Sequence, residues 1–240
     1  MWLVLCSAND YSALWAARGL KSCGLLPLEI VSPESLAYNL RFDHRIITSE
    51  TDTKIALADG RVIDSATVCG TLNRLQLVPF KHLRGASQTD RQYAEQEIYS
   101  LFLSWLYGLQ GVMLNRPTPQ GLCGAWRHLS EWVWLATKAG LSTPGYKQSG
   151  YKTGSLSVNK SNSRLQSLVV VNDNCFGASA SLDVKDGCVR LSKLCSTPLL
   201  GIDFQVAPKG EWIFTNATPM PDLTLGGALL LRALANGLRQ

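Results

Sequence analysis

The chain has 240 residues, 46% hydrophobic and 17% charged, which is enough apolar material for one large domain or two small ones. A net charge of +5 permits an anionic ligand, but no stretch interleaves aromatics with Lys and Arg as the basic face of a nucleic-acid binder would. No apolar run is long enough to span a bilayer. The seven cysteines contain no C-x-x-C pair, which argues against structural zinc and for reduced thiols in a cytoplasmic protein.

In chain order, "WLVLCS" is an apolar run without a basic segment before it, so it reads as a buried first strand rather than a signal peptide. "SALWAARGLKSC" has helical period, "LEIV" is a short strand, and Pro33 opens a short helix, "PESLAYN". "KIALADGRVIDSATVCGTLN" reads as a hairpin about the turn dipeptide Asp59-Gly60. A long helix follows, with Ser87 and Asp90 at capping-box spacing and a stripe of Ala94, Ile98, Leu101, Phe102, Trp105 and Leu109. "VMLNRP" is a strand.

"PQGLCGAWRHLSEWVWLATKAGLSTP" then reads as a second long helix ending near Gly140. Trp126, Leu129, Val133 and Ala136 form its expected buried face, while Trp132 and Trp134 point elsewhere, to a second surface for another domain or a partner. Tyr146 to Arg164 is rich in Lys, Ser, Gly and Asn and reads as a linker or exposed loop. The remainder reads as antiparallel strands, with a turn at Asn172-Asp173-Asn174, and "LGGALLLRALANGLRQ" as an amphipathic closing helix.

The chemistry-bearing motifs are few. There is no G-x-S-x-G elbow, and His44, His82 and His128 stand in unrelated contexts. "LGG" at 225–227 is no Walker loop and reads as a turn that lets the last helix pack closely. The most informative stretch is "GIDFQVAPKGEWIFTNATPMPDL". It reads as a hairpin that puts Asp203 on one strand and Asn216 and Thr218, two residues apart and so on one face, on the other. Magnesium asks for hard oxygen ligands including one or two carboxylates, and here only Asp203 is acidic.

These residues carry a resemblance. "IDF" and "FTNATPMP" are similar to the Asp-Phe strand and F-L-E-V-N-P-x-P strand of ATP-grasp ligases of the ribosomal-protein-S6-modifying and peptide-maturase type. Asn216 stands where the family has a metal-binding Glu, and Thr218 where it has Asn. "LNRL" (72–75), "DRQYAEQE" and "MLNRP" (113–117) resemble the pre-ATP-grasp domain, and "ATKAGLSTP" resembles the approach to the nucleotide-binding lobe. The resemblance implies an α/β (α+β) chain: a pre-ATP-grasp-like α/β domain at 1–117, a connecting helix at 118–145, and a truncated antiparallel ATP-grasp lobe with a C-terminal helix at 146–240. It makes Arg74, Arg116, Lys147 and Lys152, with Lys160 available beside them, the expected ligand-binding cations. Asp203, Asn216 and Thr218 become a degenerate metal site expected to stay empty.

Only about twenty residues separate Pro144 from the "LVVV" strand, too few for the family's nucleotide-covering subdomain. With neither that lid nor a full metal cage, a triphosphate's charge would go uncompensated. The leading expectation is therefore a binding or partner subunit, without a cofactor, that grips a peptide or protein. One alternative is an ATP- and magnesium-dependent carboxylate–amine ligase whose site is incomplete or completed in trans. Another is an unrelated α/β protein, lacking both an antiparallel sheet around Asp203 and an open α/β unit in residues 1–115.

Overall fold

The computed structural model describes residues 1–48, 50–80, 83–149, 152–157 and 164–240. His82 and Lys160 lie outside the described residues. The chain forms two compact units: Met1–Ala125 together with Ala235–Gln240, and Trp126–Leu234.

The first unit is built on a parallel sheet. Its strands are β1 (Trp2–Leu5), β2 (Leu28–Val31), β6 (Gly70–Asn73) and β7 (Val112–Leu114), in the order β2-β1-β6-β7. The apolar run at β1 suits a central strand buried on both faces, and Val4 and Leu5 are fully buried. Helix α1 (Tyr11–Ser22) connects β1 to β2. Its N-cap Asp10 accepts a 2.9 Å bond from the Ala13 amide, and its buried face is Ala13, Ala16, Ala17 and Leu20. The short helix α2 (Pro33–Ala37) starts at Pro33 as its sequence suggests.

A second sheet of this unit is antiparallel: β3 (Arg41–Ile47), β4 (Glu50–Ala56) and β5 (Val62–Asp64). β4 and β5 are the hairpin read from Asp59-Gly60, with Gly60 at a φ of 86°. Two details differ from the sequence reading. The "GTLN" end of that stretch leaves the hairpin to become β6, and β3 is an additional strand. "RFDHRII" hides its period because charged residues occupy much of it and its last three positions are exposed.

Helix α3 (Gln88–Gly108) begins at the Ser87 cap, whose hydroxyl accepts from the Asp90 amide and donates to its carboxylate at 2.7 Å. Phe102, Trp105 and Leu109 of the expected stripe are buried, along with Leu106, whereas Ala94, Ile98 and Leu101 are half-buried. Phe42, Phe102 and Trp105 meet at ring separations of 5.7–6.0 Å in the core shared with Leu3, Leu5, Ile55 and Ile63.

The second unit opens with α4 (Leu129–Lys138), capped by His128. This helix is ten residues long and starts ten residues later than the expected Pro119. "PQGLCGAWR" is not helical, because its glycines and the Thr118–Gly121 bridge close a tight turn. Trp132 therefore falls on the buried face at 4% exposure, reversing its expected outward direction, and Trp126 is 71% exposed rather than buried. Trp134 is 55% exposed, as expected.

The stretch read as a linker instead contains a two-stranded hairpin, β8 (Gly145–Ser149) with β9 (Lys152–Ser157). Tyr146 packs against the unit's core, which gives this polar segment an anchor its composition does not advertise. The main sheet is antiparallel, in the order β11-β10-β12-β13: β10 (Arg164–Val171), β11 (Asn174–Gly177), β12 (Leu199–Val206) and β13 (Trp212–Thr218). The β10–β11 turn lies at Asn172, whose φ is 52°.

Helix α5 (Leu182–Leu194) interrupts what the sequence suggests is continuous β structure. Its Ser181 N-cap precedes a helix mixed in polarity but with Gly187, Cys188, Leu191 and Ser192 buried on one face. Leu168, Val170, Leu200, Ile202, Phe204, Phe214 and Ala217 of the sheet share a core with α4 and α5. Helix α6 (Gly227–Arg239) closes the chain.

His44 offers a test of the first unit. Its Nδ1 and Nε2 lie 2.7 and 2.8 Å from the hydroxyls of Thr53 and Ser104, tying β3 to β4 and α3, and burial lowers its pKa below the ordinary 6.5. The folded chain thus binds fewer protons here than the unfolded chain, so this contribution is complete above pH 6.5 and is lost as pH falls through the lower folded value. Urea midpoints measured against pH should fall below 6.5 more steeply in the wild type than in His44→Gln; parallel profiles would refute the linkage.

Candidate functional site

The β12–β13 hairpin sets the site. Asp203 pairs with Asn216 across the ladder and Gly201 with Thr218. A register shift between Asp203 and Phe204 leaves Thr215 as the extra residue, and its hydroxyl donates to the Asp203 carbonyl at 2.9 Å. Because Ile202, Phe204, Phe214 and Ala217 point into the core, Asp203, Asn216 and Thr218 share the opposite face.

On the third strand of that face, Ser167 of β10 pairs with Asp203 and donates to its Oδ1 at 2.6 Å. A row of Ser167, Asp203 and Asn216 thus crosses three strands. Sequence reading did not single out Ser167; the signal available was a lone hydroxyl among apolar residues in "LQSLVVV". The Thr218 hydroxyl accepts from the Met220 amide at 3.1 Å and so serves the turn that leads the chain away. Gly201 makes room for that exit, since a Cβ there would stand 2.9 Å from the Pro221 side chain.

Does this row suit a magnesium ion with a nucleotide? It supplies one carboxylate, and one oxygen of that carboxylate already takes the Ser167 proton. Opposite stand an exposed neutral amide and a hydroxyl committed to its own turn. Among the described residues no group of three or more His, Cys, Asp or Glu side chains could hold a metal. A hard dication needs several oxygen ligands and anionic charge, so the donor set does not fit one.

The four expected cations fall in two pairs, one on each unit. Lys147 is exposed on β8, opposite Ser155, and Lys152 begins β9. Arg74 and Arg116 belong to the first unit. They follow Asn73 and Asn115, which close β6 and β7 side by side: Leu72 pairs with Leu114, and Asn73 donates to the Asn115 carbonyl at 3.1 Å. Asn73 also donates to the Leu122 carbonyl at 2.7 Å and accepts from the Leu75 amide at 3.1 Å, so it is a structural tie. Arg116 is exposed, with one weak bond of 3.4 Å to the Gly111 carbonyl.

Arg74 is 4% exposed, and its Nε lies 2.7 Å from Oδ2 of Asp10, the α1 cap. The strand order reverses between β1 and β6, the place where open α/β sheets commonly receive ligands. Here the chain's own Arg74–Asp10 pair occupies it.

Fold comparison then defines the class. The chain has an ATP-grasp-like fold over its whole length. It superposes on the macrocyclase MdnC of Microcystis aeruginosa MRC, bound with precursor peptide MdnA, at a TM-score of 0.74 and 12% identity over 99% of each chain. A RiPP-associated ATP-grasp ligase of Chryseobacterium gregarium, in complex with ADP and a leader and core peptide, gives 0.72 and 11% over 99% of this chain and 96% of that one. The D-alanine–D-alanine ligase of Aeromonas hydrophila gives 0.52 and 14% over 99% and 97%. The reading of an unrelated α/β protein is thereby overturned. No family model and no curated protein matches the chain.

Two outcomes test these assignments. Arg74→Met, which strands the Asp10 carboxylate in a buried place, should cost ~3–5 kcal/mol in urea unfolding, most of it recovered in Asp10→Asn/Arg74→Met. Asn216→Glu/Thr218→Asn, which places an acid and an amide opposite Asp203, should bind Mn²⁺ by electron paramagnetic resonance while the wild type does not. Equal Mn²⁺ binding by both would show that the neutral pair is no obstacle.

Proposed function

We propose that this chain is a peptide- or protein-binding member of the ATP-grasp-like fold that has given up ATP-dependent ligation. The observation carrying this reading is the Ser167–Asp203–Asn216 row, in which one carboxylate faces a neutral amide. Phosphoryl transfer depends on positioning and on neutralising charge across the triphosphate, and a single carboxylate cannot recruit the metal that does so. The interval before β10 agrees. Among the described residues it holds the β8–β9 hairpin and no helix, which is little to cover a nucleotide.

Peptide binding draws support from the fold neighbours, among them two named above that were solved with precursor, leader or core peptides. The exposed tryptophans Trp126 and Trp134 are the kind of anchor that interfaces use, and the Lys138 ammonium sits 4.6 Å above the Trp134 ring. No described helix is long and apolar enough to cross a membrane.

Calorimetry decides between binding and ligation. Titration with Mg-ATP or Mg-ADP should give no saturable heat. Short peptides encoded beside the gene are the probes for the other half of the reading, and Trp134→Ala should weaken their binding by about tenfold. Nucleotide binding at an affinity on the order of micromolar, abolished by Asp203→Ala, would overturn this reading and favour the ligase.

A further inference from the structure

Cys175 and Cys188 are brought together by the sheet and α5. Cys175 lies on β11 opposite Val170 of β10, and cross-strand partners point to the same side of a sheet. Val170 faces the core beneath α4 and α5, and Cys175 packs against that core. Cys188 is fully buried on the face of α5 that also carries Gly187, Leu191 and Ser192. Cys175 and Cys188 thus lie in one core, on the facing sides of β11 and α5.

The local structure holds them there. Lys193, near the C-terminal end of α5, pairs with Asp173 of the β10–β11 turn at 2.7 Å on the exposed surface, which places this end of the helix beside the turn. Gly187 brings α5 in close, since a Cβ would stand 2.5 Å from the Leu141 side chain.

We propose that Cys175 and Cys188 form a redox-active dithiol that closes to an intramolecular disulfide on reaction with a peroxide, Cys175 being the attacking thiol. Cys175 is the half-buried, reachable member. The neighbouring Cys188 thiol lowers its pKa below the ordinary value, with Lys185 acting in the same sense and burial opposing both. The same proximity, with burial, pushes the Cys188 thiol up. Burial also pushes Cys6 and Cys123 up to about 11, which leaves them protonated and inert.

The chemistry closes with hydrogen peroxide as oxidant. The Cys175 sulfur attacks one oxygen; the S–O bond forms, the O–O bond breaks, and the departing hydroxide takes the thiol proton as water. The Cys188 sulfur then attacks the sulfenic sulfur; the S–S bond forms, the S–O bond breaks, and the second hydroxide leaves as water with the Cys188 proton. Two thiols and one peroxide give one disulfide and two waters.

Equimolar peroxide on the full chain, followed by non-reducing peptide mapping, tests this. The expected result is a single Cys175–Cys188 link, two of the seven thiols lost, and a raised unfolding temperature. Cys188→Ala should stop at a Cys175 sulfenic acid trapped by dimedone, and Cys23→Ser/Cys69→Ser should leave the reaction intact. Mapping of the wild type decides the matter even if a core variant misfolds. Both thiols still free after the exposed Cys69 has been oxidised, or Cys175 linked elsewhere, would overturn the proposal.

Discussion

The register of β12 against β13 is the constraint on which the candidate site depends. Phe204 meets Phe214 and Trp212 at ring separations of 6.4 and 5.3 Å, and these rings lock the inner face. A slip of one residue would turn the apolar set outward, so the core leaves only one alignment. That alignment puts Asp203 beside Ser167 and opposite Asn216. Three packing rings thus decide which polar groups meet on the far side, and they bring together a charge and neutral partners.

This separation of roles explains how the fold matches ligases at identities of 11–14%. The fold rests on apolar periodicity and turn residues, which many sequences satisfy. A metal site rests on two or three outward side chains, which can change while the interior stays the same. The first unit shows the same economy. At the point where the strand order reverses between β1 and β6, Arg74 pairs with Asp10, so two residues beyond their strands meet without touching the core pattern.

Much of the architecture was legible in the sequence, for physical reasons. β1, α1, β2, α3, β7 and the β12–β13 hairpin each combine a clean period with a cap or turn residue at its end. The elements that were missed lack that combination. β3 alternates charge with apolar residues on an exposed strand, and β8–β9 is polar apart from a few anchors such as Tyr146. α5 buries a narrow stripe that includes a glycine, a cysteine and a serine, residues that carry little hydrophobic signal. In α4, beginning the helix at Pro119 rather than at His128 misplaced Trp126, and Trp132 was read as outward though it is buried. Of the candidate site, the facing pair Asp203 and Asn216 was visible from the hairpin's spacing together with the resemblance to the ATP-grasp pattern. Ser167 was not, because its strand pairs with β12 only through the long-range ladder.

The first unit is assembled from two distant pieces of chain, since residues 235–240 belong with 1–125. The Leu238 carbonyl lies against Gly70, and Arg239 donates to the Cys23 carbonyl. During synthesis on a ribosome, residues 235–240 emerge only after the whole of the second unit, so their contacts with the first unit are made last. Such a chain is completed in reverse of the usual vectorial order, and a fragment cut at the boundary would carry an unsealed seam.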